Sequence, residues 1–213
     1  MSEIVNKIKY AMSLRTPQEE ALSYLDAISS HCDYKKDSKD VIEAAASEYC
    51  EKQRKVKAGF EFPSFCYAMA TGIGKTRLMG ASIYYLYKTK GYKHFFILAP
   101  GNTIYEKLRK ESNPNHPKYI FKGLEAEMGR PKVYDGENYD TYPIKYDQMT
   151  LIVEKTSDIQ LFIFNIGKIF NSKSSISTSS RRRWVLHLPR YWHSLTISLF
   201  VWMRRTVIMP RRQ

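Results

Sequence analysis

The sequence predicts an α/β fold in which a parallel β-sheet is flanked by helices. Two observations support this prediction. Short apolar runs alternate with loops and helical patterns, in the order strand, loop, helix, strand, loop, helix, between residues 65 and 111. The loop after the first run is rich in glycine and stands directly before a helical pattern, as a turn from a buried strand into a helix requires.

The first predicted helix begins at Thr16. Thr16 can cap the helix, Pro17 suits the first helical position, and Glu19 would complete a capping box. Apolar residues then recur at helical spacing, namely Ala21, Leu22, Leu25 and Ile28. A second helix is predicted from about Ser38 to Lys55.

The next part of the chain contains the elements of the sheet. We predict a buried strand over 65–70, a helix over 74–90 that Gly91 ends, a strand over 94–99, and a helix over 103–111. Residues 112–148 are rich in Pro, Gly, Asn and Tyr and are predicted to form an irregular excursion. Two further apolar runs, 149–153 and 161–166, are predicted to be strands of the same sheet.

The charge of the chain is concentrated near its end. The net charge of +13 suggests a polyanionic partner such as nucleic acid. All 21 acidic residues lie in 1–158, together with 24 of the 34 cations, so that part carries only +3. The basicity therefore belongs mostly to the last 55 residues, 159–213.

Composition also predicts the domain organisation. We expect a helical segment over 1–60, a sheet-containing lobe over 61–171, and a Ser-, Arg- and Trp-rich tail over 172–213 that is disordered or non-native. The three cysteines have no paired spacing, which favours reduced thiols in a cytoplasmic protein. We expect no signal peptide, because the start MSEIVNKIKYAM has no apolar run behind a basic end. We expect no membrane span, because no stretch reaches the ~18 apolar residues that a span needs.

The stretch YAMATGIGKT, residues 67–76, has the chemistry of a phosphate cradle. Gly72 and Gly74 allow backbone conformations that turn successive N–H groups inward, and the following helix N-terminus adds to them. Lys75 would reach the β- and γ-phosphates, and the Thr76 hydroxyl would bind Mg²⁺. Met69 occupies the position at which the general GxxxxGKT pattern has glycine. The alternative is a glycine-rich turn with an incidental Lys-Thr pair.

Four segments give the chain a family resemblance. AMATGIGKT resembles motif I of superfamily 2 helicases and translocases, and is most similar to that of the DEAD/DEAH-type motor in the restriction subunit of type III restriction enzymes. LRTPQEEA, from Leu14, resembles the upstream element of that family, FILAPGNTI, from Phe96, resembles motif Ia, and FIFNIGKIF, from Phe162, resembles a later segment. The resemblance covers about residues 13–171 and implies a partial RecA-like P-loop NTPase lobe.

The resemblance implies ATP and Mg²⁺ as cofactors and DNA as a partner, with a modification methyltransferase as a further subunit. It implies that Gln18 reads adenine, and that the phosphates are held by Thr71, Gly72, Ile73, Gly74, Lys75 and Thr76. It also implies that the DNA backbone meets Pro100, Gly101, Asn102 and Thr103. Gln18 could instead be a solvated residue of a first helical turn, and 100–103 an ordinary strand-to-helix connection. Lys107, Arg109 and Lys110 are either a backbone-facing patch or a solvated helix face.

A motor of this class also needs a carboxylate pair on a nearby strand end, to hold Mg²⁺ and orient water. No carboxylate follows Asp158 in the sequence. We therefore expect weak nucleotide binding at most and no appreciable hydrolysis, and we interpret the tail as out-of-frame translation after a frameshift near 171–181. The alternatives are another P-loop enzyme such as a small kinase, a basic nucleic-acid-binding module without catalytic activity, and a chain with no stable fold.

Overall fold

The computed structural model describes residues 2–31, 67, 69–138 and 159–167. Their helices are α1 (Glu3–Met12), α2 (Thr16–His31), α3 (Lys75–Lys90), α4 (Asn102–Glu111) and α5 (Glu125–Met128). Their strands are β1 (His94–Ala99), β2 (Lys132–Asp135) and β3 (Gln160–Asn165). The chain divides into two compact units, of which the first comprises 1–91 and 120–127 and the second comprises 92–119 and 128–213. No helix in the described part of the chain is long and apolar enough to span a membrane.

Helices α1, α2 and α3 pack against one another in the first unit. Val5, Ile8 and Met12 are the buried residues of α1 and share one face of that helix. Helix α1 has no counterpart among the predicted elements, although these three residues have the spacing of an amphipathic helix. In α2, the four apolar residues that predicted the helix are all buried, namely Ala21, Leu22, Leu25 and Ile28.

The start of α2 differs from the predicted capping box. The carbonyl of Arg15 accepts the first helical hydrogen bonds, from the N–H groups of Gln18 and Glu19. Arg15 is therefore the N-cap, and the side chain of Gln18, three residues on, accepts from the Arg15 N–H at 2.9 Å. Glu19 instead pairs with Lys9 of α1. The predicted box was wrong by one residue because Thr16 already lies within the helix.

Helix α3 begins and ends at glycines with positive φ, as its sequence predicts. Gly74 precedes it with φ 94°, and Gly91 follows it with φ 69°. Residues 78–86 are all buried. A Cβ on Gly80 would overlap the backbone carbonyl of Ile120, so this glycine allows segment 120–127 to lie directly against the helix.

Buried polar groups connect the three helices. The carboxylate of Asp26 in α2 accepts from the N–H and hydroxyl of Ser2, which precedes α1, at 3.1 and 2.7 Å. It also accepts from the Tyr85 hydroxyl of α3 at 3.0 Å. Burial, followed by the charge of Asp26, raises the pKa of Tyr85 to about 12, so the phenol keeps its proton for this bond.

The second unit contains a three-stranded parallel sheet with the order β1-β3-β2, and α4 packs on β1 and β3. Strand β1 matches the predicted bounds, and β3 and α4 lie within a residue of theirs. The register places Phe96 and Tyr134 on either side of Phe162. Their rings stack with centroid distances of 4.6 and 5.2 Å, which ties the three strands together on one face.

Two predictions for the sheet need correction. Residues 112–148 are not wholly irregular, because they contain α5 and the strand β2. The run KVYD of β2 is too short for its period to be recognised among the surrounding Pro and Gly. The strand predicted over 65–70 is wrong at Tyr67, Met69 and Ala70, which lie in no strand because none of the three joins a ladder of the described sheet.

Other predictions fall on parts of the chain that the structure does not describe. These are the helix predicted over 38–55, the strand predicted over 149–153, and the tail over 172–213. The predicted boundary between the first two segments, at 60, also lies outside the described residues.

Candidate functional site

The glycine-rich loop before α3 has the backbone of an anion cradle. Gly72 and Gly74 have φ of 85° and 94°, a conformation that L-residues rarely adopt. The backbone N–H groups of residues 72–76 donate to no described residue. Five successive donors without a partner in the described chain, at the start of a sixteen-residue helix, can bind an anion with several oxygens.

The carbonyl groups of the same loop do have partners, and these come from the start of α2. The Gln18 amide nitrogen donates to the carbonyls of Ile73 and Gly74, each at 2.9 Å. The Arg15 guanidinium donates to the carbonyl of Gly72 at 3.3 Å. Three successive carbonyls are thus held by two side chains, which fixes the peptide planes and hence the directions of the N–H groups.

Gln18 is 2% exposed, and its amide makes three hydrogen bonds within the first unit. Both amide hydrogens are used on the loop, and one lone pair of Oε1 is used on the Arg15 N–H. The structure therefore brings Gln18 to the glycine loop, where it is buried and not solvated. The amide oxygen keeps a second lone pair, whereas a further donor would require the release of one loop carbonyl.

Arg15 is a candidate site residue that the sequence reasoning did not single out. It lies three residues before Gln18, in the same element that carries the family resemblance. Its contact with Gly72 spans 57 positions, so no local pattern could reveal it. The only available hint was its place in that element.

The two polar side chains at the start of α3 lie beside the loop. The Lys75 ammonium donates to the carbonyl of Ala70 at 3.0 Å, and the Thr76 side chain is half-buried. Thr71 is exposed. The predicted phosphate and metal residues are therefore consecutive and accessible at the opening of the cradle.

The predicted nucleic-acid loop belongs to the second unit, where it joins β1 to α4. Pro100, Asn102 and Thr103 are exposed, and Gly101 precedes the helix in an extended conformation. Asn102, the first residue of α4, accepts a hydrogen bond from the amide nitrogen of Asn165 at 2.6 Å. The Asn165 oxygen accepts in turn from the Gly167 N–H at 2.8 Å.

The three cations of α4 do not form a free basic patch. Arg109 contacts Asp135 at 2.7 Å and makes a two-bond pair with Glu137, and the hydrogen bond to Glu137 is the main reason why the pKa of Arg109 is raised. Lys107 is paired with Glu111 at 3.8 Å. Lys110 is exposed. The solvated-face interpretation is therefore favoured for this helix.

The parallel sheet flanked by helices and the glycine loop at a helix start define a partial RecA-like α/β protein. The family model for the type III restriction enzyme res subunit matches residues 11–186. The chain belongs to this family, whose members are helicase-like ATPases of restriction systems.

One curated relative is described as the probable type III restriction-modification enzyme HindVIP Res subunit of Haemophilus influenzae. It is 43% identical over 54 residues, which are 25% of this chain and 10% of the relative. The aligned stretch thus spans only a tenth of that protein's length. No solved structure matches the chain.

Proposed function

We propose that this chain binds ATP with Mg²⁺ through the loop 71–76, as the nucleotide-binding part of a DNA translocase of the type III restriction kind. The observation that carries the proposal is the set of N–H groups over 72–76, which point to no described acceptor at the start of α3. A triphosphate supplies the acceptors that such a set of donors requires.

The side chains present fit that ligand. Lys75 would leave the Ala70 carbonyl and bind the terminal phosphates, and Thr76 would place its hydroxyl on the metal ion. When bound, Mg²⁺ neutralises part of the phosphate charge. Gly74 fits because a side chain at this position would overlap the Gln18 amide that fixes the loop.

Adenine recognition by Gln18 is part of the same proposal. The unused lone pair of Oε1 would accept from the adenine amino group while the amide keeps its bonds to the loop. Gln18 would then contact the base and the phosphate cradle at once. Occupation of the base site would stabilise the cradle through these bonds.

The DNA contact is proposed for 100–103 of the second unit, where exposed polar groups stand between a strand and a helix. A modification methyltransferase is the proposed protein partner, on the ground of family membership. Because the sequence has no carboxylate after Asp158, we expect ATP binding without appreciable turnover by these 213 residues.

Equilibrium titration of the 213-residue chain with a fluorescent ATP analogue and Mg²⁺ tests the ATP proposal. Lys75→Ala should weaken binding by about tenfold or more, because a charge-assisted contact to phosphate is lost. The control is Lys88→Ala, which removes an exposed cation from the far end of the same helix. Equal affinities for the parent and Lys75→Ala chains would contradict the proposal.

A further inference from the structure

We propose that Asn165 is a positioning residue, which holds the Asn102 side chain so that its NH₂ group faces outward and can bind the DNA backbone. The inference rests on the proposed DNA contact at 100–103 and goes beyond it, because Asn165 lies 63 positions away on a different strand. The juxtaposition that carries it is a chain of two hydrogen bonds, from the Gly167 N–H through the Asn165 amide to the Asn102 amide.

The register of the sheet creates this juxtaposition. Ala99, the last residue of β1, is paired with Asn165, the last residue of β3. The chain then turns through Pro100 and Gly101 and enters α4 at Asn102. Asn165, which is 8% exposed, thus lies beside the turn and can reach the side chain of Asn102, the first residue of α4.

The direction of both bonds is set by a backbone group. An N–H can only donate, so the Asn165 atom that faces Gly167 must be the oxygen. The Asn165 atom that faces Asn102 must then be the NH₂ group, and Asn102 must present its own oxygen in return. Asn102 is therefore held with its oxygen turned toward Asn165.

The consequence lies at the exposed end of Asn102. Its NH₂ group donates to no described residue and is the polar group left for a ligand. A phosphate oxygen can accept from this group, whereas the amide oxygen would repel it. Asn165 thereby selects the donor end of Asn102 for the anionic backbone, and no local feature of PGNT makes that selection.

Two substitutions should each place an oxygen, and not the NH₂ group, at the outward end of residue 102. Asn165→Asp keeps an acceptor for the Gly167 N–H but loses the donor to Asn102, so Asn102 is expected to turn its oxygen outward. Asn102→Asp keeps an acceptor for Asn165 but replaces the outward donor by an oxygen. The charge control is Asn113→Asp, which is exposed beyond the other end of α4 and keeps its bond to the Asn115 N–H.

The experiment titrates the full chain with a mixed-sequence DNA duplex of about 20 base pairs, and follows the Asn102 side-chain NH₂ resonance by NMR. This local readout separates the loop from DNA binding by the basic residues after 158. The parent resonance should shift saturably, and Asn165→Asp should abolish the shift and lower affinity several-fold more than Asn113→Asp does. Asn165→Ala should have no further effect on DNA affinity in an Asn102→Ala background, whereas a merely structural role would still lower it.

The outcomes separate the two proposals. A parent chain that binds no duplex contradicts both the DNA proposal and this inference. A parent chain that binds duplex without moving the Asn102 resonance overturns this inference together with the proposed contact at 100–103. An Asn113→Asp chain as weak as Asn165→Asp overturns the inference alone. If Asn165→Asp fails to fold, Asn102→Asp decides, because every bond that the structure gives Asn102 and Asn165 is kept in it, and unchanged DNA affinity would overturn the inference.

Discussion

Gly74 must be glycine for two separate reasons. Its φ of 94° is costly for any residue with a side chain, and a Cβ there would overlap the amide nitrogen of Gln18. Gly72 has a similar φ but open space around its missing side chain. The cradle therefore depends on glycine for conformation at one position, and for conformation and room at the other.

Substitution of Gly74 by Ala should separate these two costs. The positive φ alone should lower the free energy of unfolding by about 1–3 kcal/mol. Gly91→Ala, with φ 69° and no atom within 4 Å, measures that conformational cost by itself. Chemical denaturation should show Gly74→Ala to be more damaging than Gly91→Ala in the parent chain, and similar to it in a Gln18→Ala background. Equal effects in the parent chain would show that Gln18 does not constrain the loop.

At the scale of elements, the sequence predicts best where a pattern is long. Strand β1 and helices α3 and α4 are each at least six residues long and are marked by an apolar run or by glycine at their ends. Their observed bounds agree with the predicted ones to within a residue. Strand β2 has four residues and, among the described strands, pairs with β3 alone. Its existence depends on residues 28 positions later in the chain, which no local period shows.

The candidate site likewise contains residues that a local pattern reveals and contacts between residues far apart in the sequence. Residues 71–76 can be proposed from the sequence alone because a phosphate cradle needs a fixed local order of Gly, Lys and Thr. The contacts of Arg15 with Gly72 and of Asn165 with Asn102 span 57 and 63 positions. Such contacts follow from helix packing and strand register, so they become visible only with the fold.

His94 at the start of β1 should make the stability of the chain depend on pH. Burial, followed by the charge of Lys93, lowers the pKa of His94 from 6.5. Around this pH the unfolded chain binds more protons at His94 than the folded chain does. The contribution of His94 to the free energy of unfolding is therefore complete above about pH 6.5 and is lost as pH falls below it. Urea unfolding between pH 7.5 and 5.5 should show a smaller loss for His94→Gln than for the parent chain. Parallel pH profiles would contradict this account.

At the scale of the whole molecule, we propose that the tail after about residue 171 is translated out of frame. The codons of Trp202 and Met203 are unique, and in the frame that starts on each third base their junction must encode Asp. The junction of Met209 and Pro210 must encode Ala, and the codons between them permit Glu, Ala, His, Arg, Tyr and Tyr. The other frame can thus encode DEAHRYYA, which has the carboxylate pair that the motor requires.

The nucleotide sequence of the gene checks this proposal. Codons 203–208 should read Glu, Ala, His, Arg, Tyr and Tyr in the alternative frame. Any other reading there would contradict the proposed frameshift. Restoration of the frame would then be expected to give ATP turnover, which we do not expect of these 213 residues.

Amide hydrogen exchange over residues 72–76 of the 213-residue chain tests most directly whether this loop binds the phosphates of ATP. These N–H groups have no described acceptor, so they should exchange rapidly in the free protein. Saturating ATP with Mg²⁺ should slow their exchange much more than adenosine does, because only ATP brings phosphate acceptors to these donors. Residues 105–111 of α4 should be unaffected by either. Unchanged exchange over 72–76 at millimolar ATP would contradict the assignment of this loop as the phosphate cradle.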